Sequence, residues 1–409
     1  MNALYNLTIF AYSVLIRIAA PFNIKAKQLT LGRKRAFPDL EKQIKHDKPI
    51  IWVHCASLGE FEQGRPLIEA IKTQHPEYQI LLTFFSPSGY EIRKNYNLAD
   101  YVAYLPADTP KNAKRLISMV NPEKVFFVKY EFWHHYITEL KKQNIPLYLV
   151  SAIFRDNQLF FKNSVSGKWY RKMLFGFEHL FVQDQHSVDL LKSIGVNNAT
   201  KAGDTRFDRV AAIARTGKTV PLIEKFKGAN RVVVVGSSWR PDEDLLVQYI
   251  NQHPEIKFII APHEIKEPNI ERLTGQLDNR WARYTKTTEN EVINKQVLII
   301  DTIGLLSTIY RYAEVAYIGG GFGVGIHNTL EAAIFNIPVV FGPNYNKFNE
   351  AVSMAQKGIA YPITTYAELE NVFDRLLSDP ERRKKIAAES AAYTSENVGA
   401  TQLILQKVF

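Results

Sequence analysis

A chain of 409 residues with 46% apolar and 22% charged residues is a globular protein of two or three ordinary domains, which excludes an intrinsically disordered chain. The formal net charge of +10 points to an anionic partner: nucleic acid, a membrane surface or a phosphorylated substrate. The single cysteine, Cys55, excludes an internal disulfide framework and fits a reducing compartment. It lies in an apolar strand pattern at 50–55 and reads as core, not as a nucleophile.

Residues 1–22, MNALYNLTIFAYSVLIRIAAPF, are mostly apolar. The uncharged run at 7–16 is too short to span a bilayer, Arg17 falls inside the pattern, and a signal peptide's basic start and cleavage site are missing. On a helix, Asn2, Asn6, Ser13 and Arg17 share one narrow polar stripe, and Lys25, Lys27, Arg33, Lys34 and Arg35 follow. One reading is a core helix capping the first domain. The pattern predicts instead a helix lying in a membrane surface, with the cations facing anionic headgroups.

Beyond it, short apolar strands alternate with amphipathic helices, the pattern of an α/β fold with parallel sheets. A first series of strands is expected at 50–55, 79–84, 101–105, 124–129, 146–151 and 178–183. A second opens with the valine run at 231–236 and continues at 257–261, 296–300, 314–318 and 337–341. Between them, 204–230 carries polar and basic residues with Gly217, Pro221 and Gly228, and the boundary is placed near 210. The expected organisation is a membrane-anchoring helix at 1–22, a doubly wound domain at 23–209 and a second at 210–409. Two such domains would face each other across a cleft, with ligands at the carboxyl ends of the strands.

Two glycine patterns drop out. Gly217-Lys218-Thr219 resembles the end of a P-loop, but Ala212 stands where its first glycine is required. The run Gly319-Gly320-Gly321-Phe322-Gly323-Val324-Gly325 satisfies G-x-G-x-x-G in no register, so a dinucleotide site is not supported. Neither C-x-x-C nor H-E-x-x-H occurs, which leaves a catalytic metal without a ligand set. The basic residues are scattered and not interleaved with aromatics, which argues against nucleic acid.

What remains sits after strands. Ser57 and Gly59 make a turn that places Glu60 at the start of a helix, where a carboxylate can accept a proton from an attacking hydroxyl. Such a Glu is also an ordinary stabilising choice in a first helical turn. Glu131 follows the strand at 124–129 in the equivalent place, and alone it could be a cap or half of an ion pair. Arg206 brings a cation to the interdomain region, suited to a phosphate leaving group or equally to solvent. In the second half, Pro262-His263 and Asp301-Thr302-Ile303-Gly304-Leu305 leave strands. Behind the glycine run, Asn328-Thr329-Leu330-Glu331 opens an expected helix at 330–335, whose N-terminus would favour an anion. Together these favour a nucleotide-type ligand on the second domain and acid/base chemistry from the first.

The set of motifs resembles a known family. S-x-G-E at 57–60 is followed by E-x-W at 131–133, G-x-x-R-F-D at 203–208, P-H at 262–263 and D-T-x-G at 301–304. A Gly-Gly pair then precedes H-N-x-L-E at 327–331 and F-G-P at 341–343. In this order they are similar to the 3-deoxy-D-manno-octulosonic acid (Kdo) transferases of lipopolysaccharide biosynthesis. Those are inverting glycosyltransferases of the two-Rossmann-domain (GT-B) type. The resemblance implies CMP-Kdo as donor, the lipid A precursor (lipid IVA) as acceptor, the cytoplasmic face of the inner membrane as location, and no cofactor or bound metal. It implies Glu60 as the proton acceptor and Glu131 and Arg206 as transition-state stabilisers, Arg206 standing where Lys is usual. Three CMP contacts are implied: Pro262 with His263, then Ile303, Gly304 and Leu305, then Asn328, Thr329, Leu330 and Glu331. His263, Ile303, Leu305 and Thr329 replace commoner residues, and His134-His135 replace the usual Pro-Asn after Trp133. The alternative within enzymes is another GT-B glycosyltransferase that moves a sugar from a UDP-sugar to a membrane glycolipid.

Overall fold

A computed structural model describes residues 1–278 and 280–409. Two helices lead, α1 (Asn2–Ala19) and α2 (Ile24–Gln43). The strand β1 (Ile50–Cys55), the helix α3 (Leu58–Gln74) and β2 (Gln79–Phe84) follow. The first sheet is completed by β3 (Tyr101–Tyr104), β4 (Pro122–Val128), β5 (Leu147–Ala152), β6 (His179–Val182) and β7 (Ala199–Lys201). All its pairs are parallel, in the order β3-β2-β1-β4-β5-β6-β7. A parallel sheet needs helices on both faces, so its strands must be apolar throughout, and every residue of β1 is buried. Alternate residues then serve opposite cores: Trp52, Leu81, Phe127 and Leu149 on one face, Ile51, Val53, Leu82 and Phe126 on the other. The indole N–H of Trp52, which has no water to turn to, donates to Thr83 Oγ1 at 2.7 Å.

The second sheet holds β8 (Val232–Ser238), β9 (Lys257–Pro262), β10 (Trp281–Arg283), β11 (Val297–Ile299), β12 (Val315–Ile318), β13 (Val339–Phe341) and β14 (Ala360–Pro362). It too is parallel, in the order β10-β11-β9-β8-β12-β13-β14. Both sheets are doubly wound. The chain reverses its direction of travel between β1 and β4 in one and between β8 and β12 in the other, and such switch points open the crevices that hold ligands. The sequence pattern missed β7, β10 and β14. Each has three residues, and each pairs at or near a sheet edge, where pairing rather than apolar periodicity makes the strand.

The chain divides into two compact units, Met1–Asp208 with Val398–Phe409, and Arg209–Asn397. A division at 209/210 alone would leave the last helix, Ala400–Val408, in the second unit, but it packs in the first. Ile404 and Leu405 enter the core around α3, worth about 1.5–3 kcal/mol each, and Phe409 stacks on His75 at 4.0 Å. The Asp208 carboxylate accepts from Gly399 N at 2.5 Å and Thr401 N at 2.6 Å, capping that helix where its first N–H groups lack partners.

No residue of α1 is buried, so it is not a core helix. Its polar side makes hydrogen bonds to the first unit, with Tyr12 stacked on Phe85 beside them. Trp169 Nε1 donates to Asn2 Oδ1 at 2.6 Å, His135 Nε2 donates to Asn6 Oδ1 at 2.6 Å, and Tyr5 Oη donates to Asp108 at 2.5 Å. Leu4, Leu7, Phe10, Leu15 and Ile18 are left exposed. With a mean hydropathy of 1.2 over 18 residues, α1 is long and apolar enough to cross a membrane by length and composition.

Candidate active site

In the first unit the expected residues gather at the carboxyl ends of strands beside the switch point. Ser57 is the residue before α3, and Glu60 lies in the first turn of that helix, half-buried, with the Ser57 hydroxyl donating to its carboxylate. Among the described residues no cation pairs with Glu60. Gly59 does not force the turn; its Cβ position is open apart from Ser57 Oγ at 3.7 Å.

Glu131 comes off β4, the neighbour of β1. Lys129 adopts a left-handed φ of 70°, an unusual state for a side-chain-bearing residue, and this turn carries the chain from the strand end to Glu131. Glu131 is buried, so it needs partners. Trp133 Nε1 donates to its Oε2 at 2.6 Å, and His54 Nε2 lies 2.8 Å from the same oxygen. His54, fully buried at the end of β1, is held from behind by Thr83 through Nδ1, 3.1 Å from the carbonyl and 2.9 Å from Oγ1. Sequence reasoning did not single out His54; a His in an apolar strand pattern, three residues before the S-x-G-E turn, was the available signal. Cys55 is fully buried, and its thiol is pushed well up by burial and further by the charges of Glu60 and Glu131. It is core, as its strand pattern implied.

Arg206 is not a bare cation. Its Nε lies 3.0 Å from Asp204 Oδ2 and its Nη2 2.7 Å, a fork onto a buried carboxylate. Burial raises the Asp204 carboxyl, but the charge and hydrogen bonds of Arg206 outweigh it and hold the group below its usual range. Gln63 Nε2, one turn after Glu60 on α3, donates to Asp204 Oδ2 at 3.0 Å, and Thr205 Oγ1 donates to the Gln63 carbonyl at 2.5 Å. α3 thus ties Arg206 and Glu60 into one framework.

In the second unit a different chemistry occupies the switch point. β8 carries a bulge between Gly236 and Ser238, with Ser237 at φ 54°, just before Trp239. The Trp239 ring lies 4.4 Å from that of His263, beyond β9, and His263 lies 4.4 Å from His327, behind the glycine run. Trp239 and His327 are nearly parallel at 9° and joined edge to edge, Nε1 donating to Nε2 at 3.0 Å. That bond requires an unprotonated His327 Nε2. Burial, and then the neighbouring His263, lower His327 to about 4; burial also lowers His263. The three rings form a neutral two-layer platform, with Trp239 and His263 exposed. Trp239 was not singled out in the sequence, because its role depends on neighbours 24 and 88 residues away.

The glycine run serves packing more than anion binding. A Cβ on Gly321 would lie 2.6 Å from Gly342 Cα, and one on Gly319 would strike the backbone of Ser237. Gly320 N donates to the buried Asp242 at 2.9 Å. The expected helix at 330–335 is a single turn, Leu330–Ala333, too short for a macrodipole site. Thr329 and Leu330 are fully buried, and Leu330 N donates to Asn328 Oδ1 at 3.1 Å. Asn328 Nδ2 donates to Glu331 Oε1 at 3.0 Å, while burial raises the Glu331 carboxyl against the pull of Asn328 and Arg209. Pro262 ends β9 beside the rings, whereas Ile303, Gly304 and Leu305 lie beyond β11, on the far side of β9 from β8, with Ile303 exposed. Asp301 is held by Arg283 at 3.0 Å and Thr285 N at 2.9 Å. Among the described residues no cluster of three His, Cys, Asp or Glu side chains could hold a metal ion.

Comparison with known proteins agrees with this architecture. The fold is shared with UDP-GlcNAc 2-epimerase from Neisseria meningitidis, at a TM-score of 0.59 and 15% identity over 88% of this chain and 98% of that one. Two doubly wound sheets with loops gathered at their switch points define a GT-B-type α/β protein. Residues 30–209 match the family model of 3-deoxy-D-manno-octulosonic-acid transferase (kdotransferase). The chain is 28% identical to 3-deoxy-D-manno-octulosonic acid transferase of Aquifex aeolicus, over 84% of this chain and 90% of that one. It is also 28% identical to that of Rickettsia bellii, over 82% and 81%. Over most of its length the chain is therefore similar to Kdo transferases, which supports a glycosyltransferase.

Proposed function

We propose that the enzyme moves Kdo from CMP-Kdo to the lipid A precursor, with inversion, at the cytoplasmic face of the inner membrane and without a bound metal or cofactor. The observation that carries the chemistry is Glu60: half-buried, oriented by Ser57, and without a cationic partner among the described residues. The acceptor hydroxyl attacks the anomeric carbon and its proton passes to the Glu60 carboxylate. The bond from that carbon to the phosphate oxygen breaks, and CMP leaves with the electron pair. Glu131, kept in place by His54 and Trp133, and Arg206, kept in plane by Asp204, stabilise the charge that develops between them.

The family match supports Kdo as the transferred sugar. The ring platform of Trp239, His263 and His327 supports a nucleobase on the second unit, since rings offer a stacking face. Pro262, Ile303 to Leu305 and Asn328 to Glu331 would complete the CMP contacts. The exposed apolar side of α1 and the excess of basic residues support docking on an anionic membrane and disfavour nucleic acid. The deciding experiment is mass spectrometry of products from the lipid A precursor with a donor panel of CMP-Kdo and UDP-sugars. A Kdo-bearing product from CMP-Kdo alone is expected; transfer from a UDP-sugar instead would overturn the reading.

A further inference from the structure

Two adjoining cavities lie between α1, α2 and the segment after β3. One, of about 260 Å³, is walled by Ile9, Tyr12, Phe85, Leu105, Pro106 and Trp133. The other, of about 480 Å³, is lined by Arg17, Arg33, Lys34, Thr30, Ser13 and Asn112 among apolar neighbours. Arg33, Pro106 and Ala107 border both. The first cavity is apolar. Its acidic residue, Asp108, is turned onto Tyr5 and the N–H groups of His135 and Tyr136, each at 3.1 Å.

Arg33 stands at the junction. Its guanidinium lies 4.6 Å from the centre of the Phe85 ring and 6.0 Å from that of Tyr12, and its Nε donates to the Leu105 carbonyl at 3.1 Å. No carboxylate among the described residues pairs with Arg33, Arg17 or Lys34. In a chain with many surface ion pairs, three unpaired cations around one cavity leave an anion's place open. Thr30 Oγ1, in the same wall, is buried without a hydrogen-bond partner. At the other end the apolar cavity closes on Trp133, which stacks on Phe85 at 4.9 Å and donates to Glu131. The outer side of α1 exposes Leu4, Leu7, Phe10, Leu15 and Ile18, so the helix that walls both cavities also presents an apolar surface to its surroundings.

We propose that these joined cavities bind the lipid acceptor itself: one hydrocarbon chain in the apolar cavity against Trp133, and a phosphate on Arg33 with Arg17 and Lys34 beside it. This rests on the acceptor being an acylated, phosphorylated glycolipid. A bulk phospholipid needs no tie to the reaction site, whereas this cavity ends one hydrogen bond from Glu131. α1 is then part of the acceptor site as well as a membrane contact.

The test uses the full-length chain and 12-bromododecyl phosphate below its micelle concentration, because bromine quenches an indole it touches. Saturable quenching that disappears in Trp133→Phe is expected. Ala107→Phe, which fills the cavity from a half-exposed position, and Arg33→Gln should each weaken the half-saturation about ten-fold. The neutral dodecyl maltoside should compete at least ten-fold less well than the phosphate, and inorganic phosphate alone should not compete. The lipid A precursor should displace the probe, and phosphatidylglycerol vesicles should not. Quenching that persists in Trp133→Phe, equal affinity in both other variants, or displacement by phosphatidylglycerol but not by the precursor overturns the proposal. In turnover, Ala107→Phe and Arg33→Gln should raise KM for the precursor about ten-fold with kcat within two-fold. If the wild type transfers Kdo and both variants keep its KM, the site is wrong and the function stands. If the wild type binds the probe as described but transfers no Kdo, the function is wrong.

Discussion

The two sheets end in loops of opposite chemistry. At the switch point of the first, Glu60, Glu131, His54, Asp204 and Arg206 make a charged, hydrogen-bonded framework braced by α3. At that of the second, Trp239, His263 and His327 make an uncharged ring platform beside glycines packed backbone to backbone. On the proposed function, the difference divides the work of a transfer reaction between them. Moving a proton and stabilising developing charge needs titratable groups at fixed distances, whereas holding a leaving nucleotide needs shape and stacking. One fold, used twice, supports both because the loops after the strands are free of the packing that constrains the sheets.

The sharpest way to break this comparison is Glu60→Gln. Turnover should fall about 1000-fold, within the range for loss of a general base, while unfolding by urea and binding of CMP stay as in the wild type. Loss of CMP binding would show that the two regions do not divide the work as described. Arg206→Ala should act on stability as well as rate. It leaves Asp204 buried without its cation, held by Gln63 and the backbone N–H of residue 206, at a cost of about 3–5 kcal/mol by chemical denaturation. Arg206→Lys keeps the charge but not the fork and should cost less; equal losses would mean that geometry, not charge, is what Asp204 requires.

On the ring side, Trp239→Ala should weaken CMP binding by about 1–3 kcal/mol in calorimetry, Trp239→Phe by less, and neither should change the stability of the first unit. Unchanged affinity in Trp239→Ala would remove the platform from the donor site. The smallest effect is in pH. His327 takes up a proton in the folded chain only near pH 4, against about 6.5 when unfolded, so its contribution to stability is full above pH 6.5 and declines as pH falls towards 4. The ring-proton shifts of His327 in NMR should therefore stay constant between pH 8 and 6 and move as pH approaches 4, where the Trp239–His327 bond is lost. A transition centred near pH 6.5 would contradict a buried, neutral His327.

Much of this was legible in the residues. The unbroken apolar runs of β1, β4, β8 and β12 specify buried parallel strands, because a strand covered on both faces has no place for polar side chains. S-x-G-E placed Glu60 in the first turn of α3, because a turn after the strand at 50–55 starts a helix there and an acid suits a first helical turn. Other features depended on what the fold brings alongside. His54 could be read only as a strand residue until Glu131, 77 positions later, lay beside it. Asp208 was a motif residue near the boundary until the last helix returned to be capped by it. The polar stripe of α1 was visible, but its direction was not: periodicity shows that a helix has two sides, and only the neighbours Trp169, His135 and Asp108 decide which side faces the protein. Local pattern thus determined the elements and the carboxylate at the head of α3. Packing between residues far apart in the chain decided which groups share a proton, a charge or a ring face, because those interactions act over a few ångströms that only the tertiary fold can set.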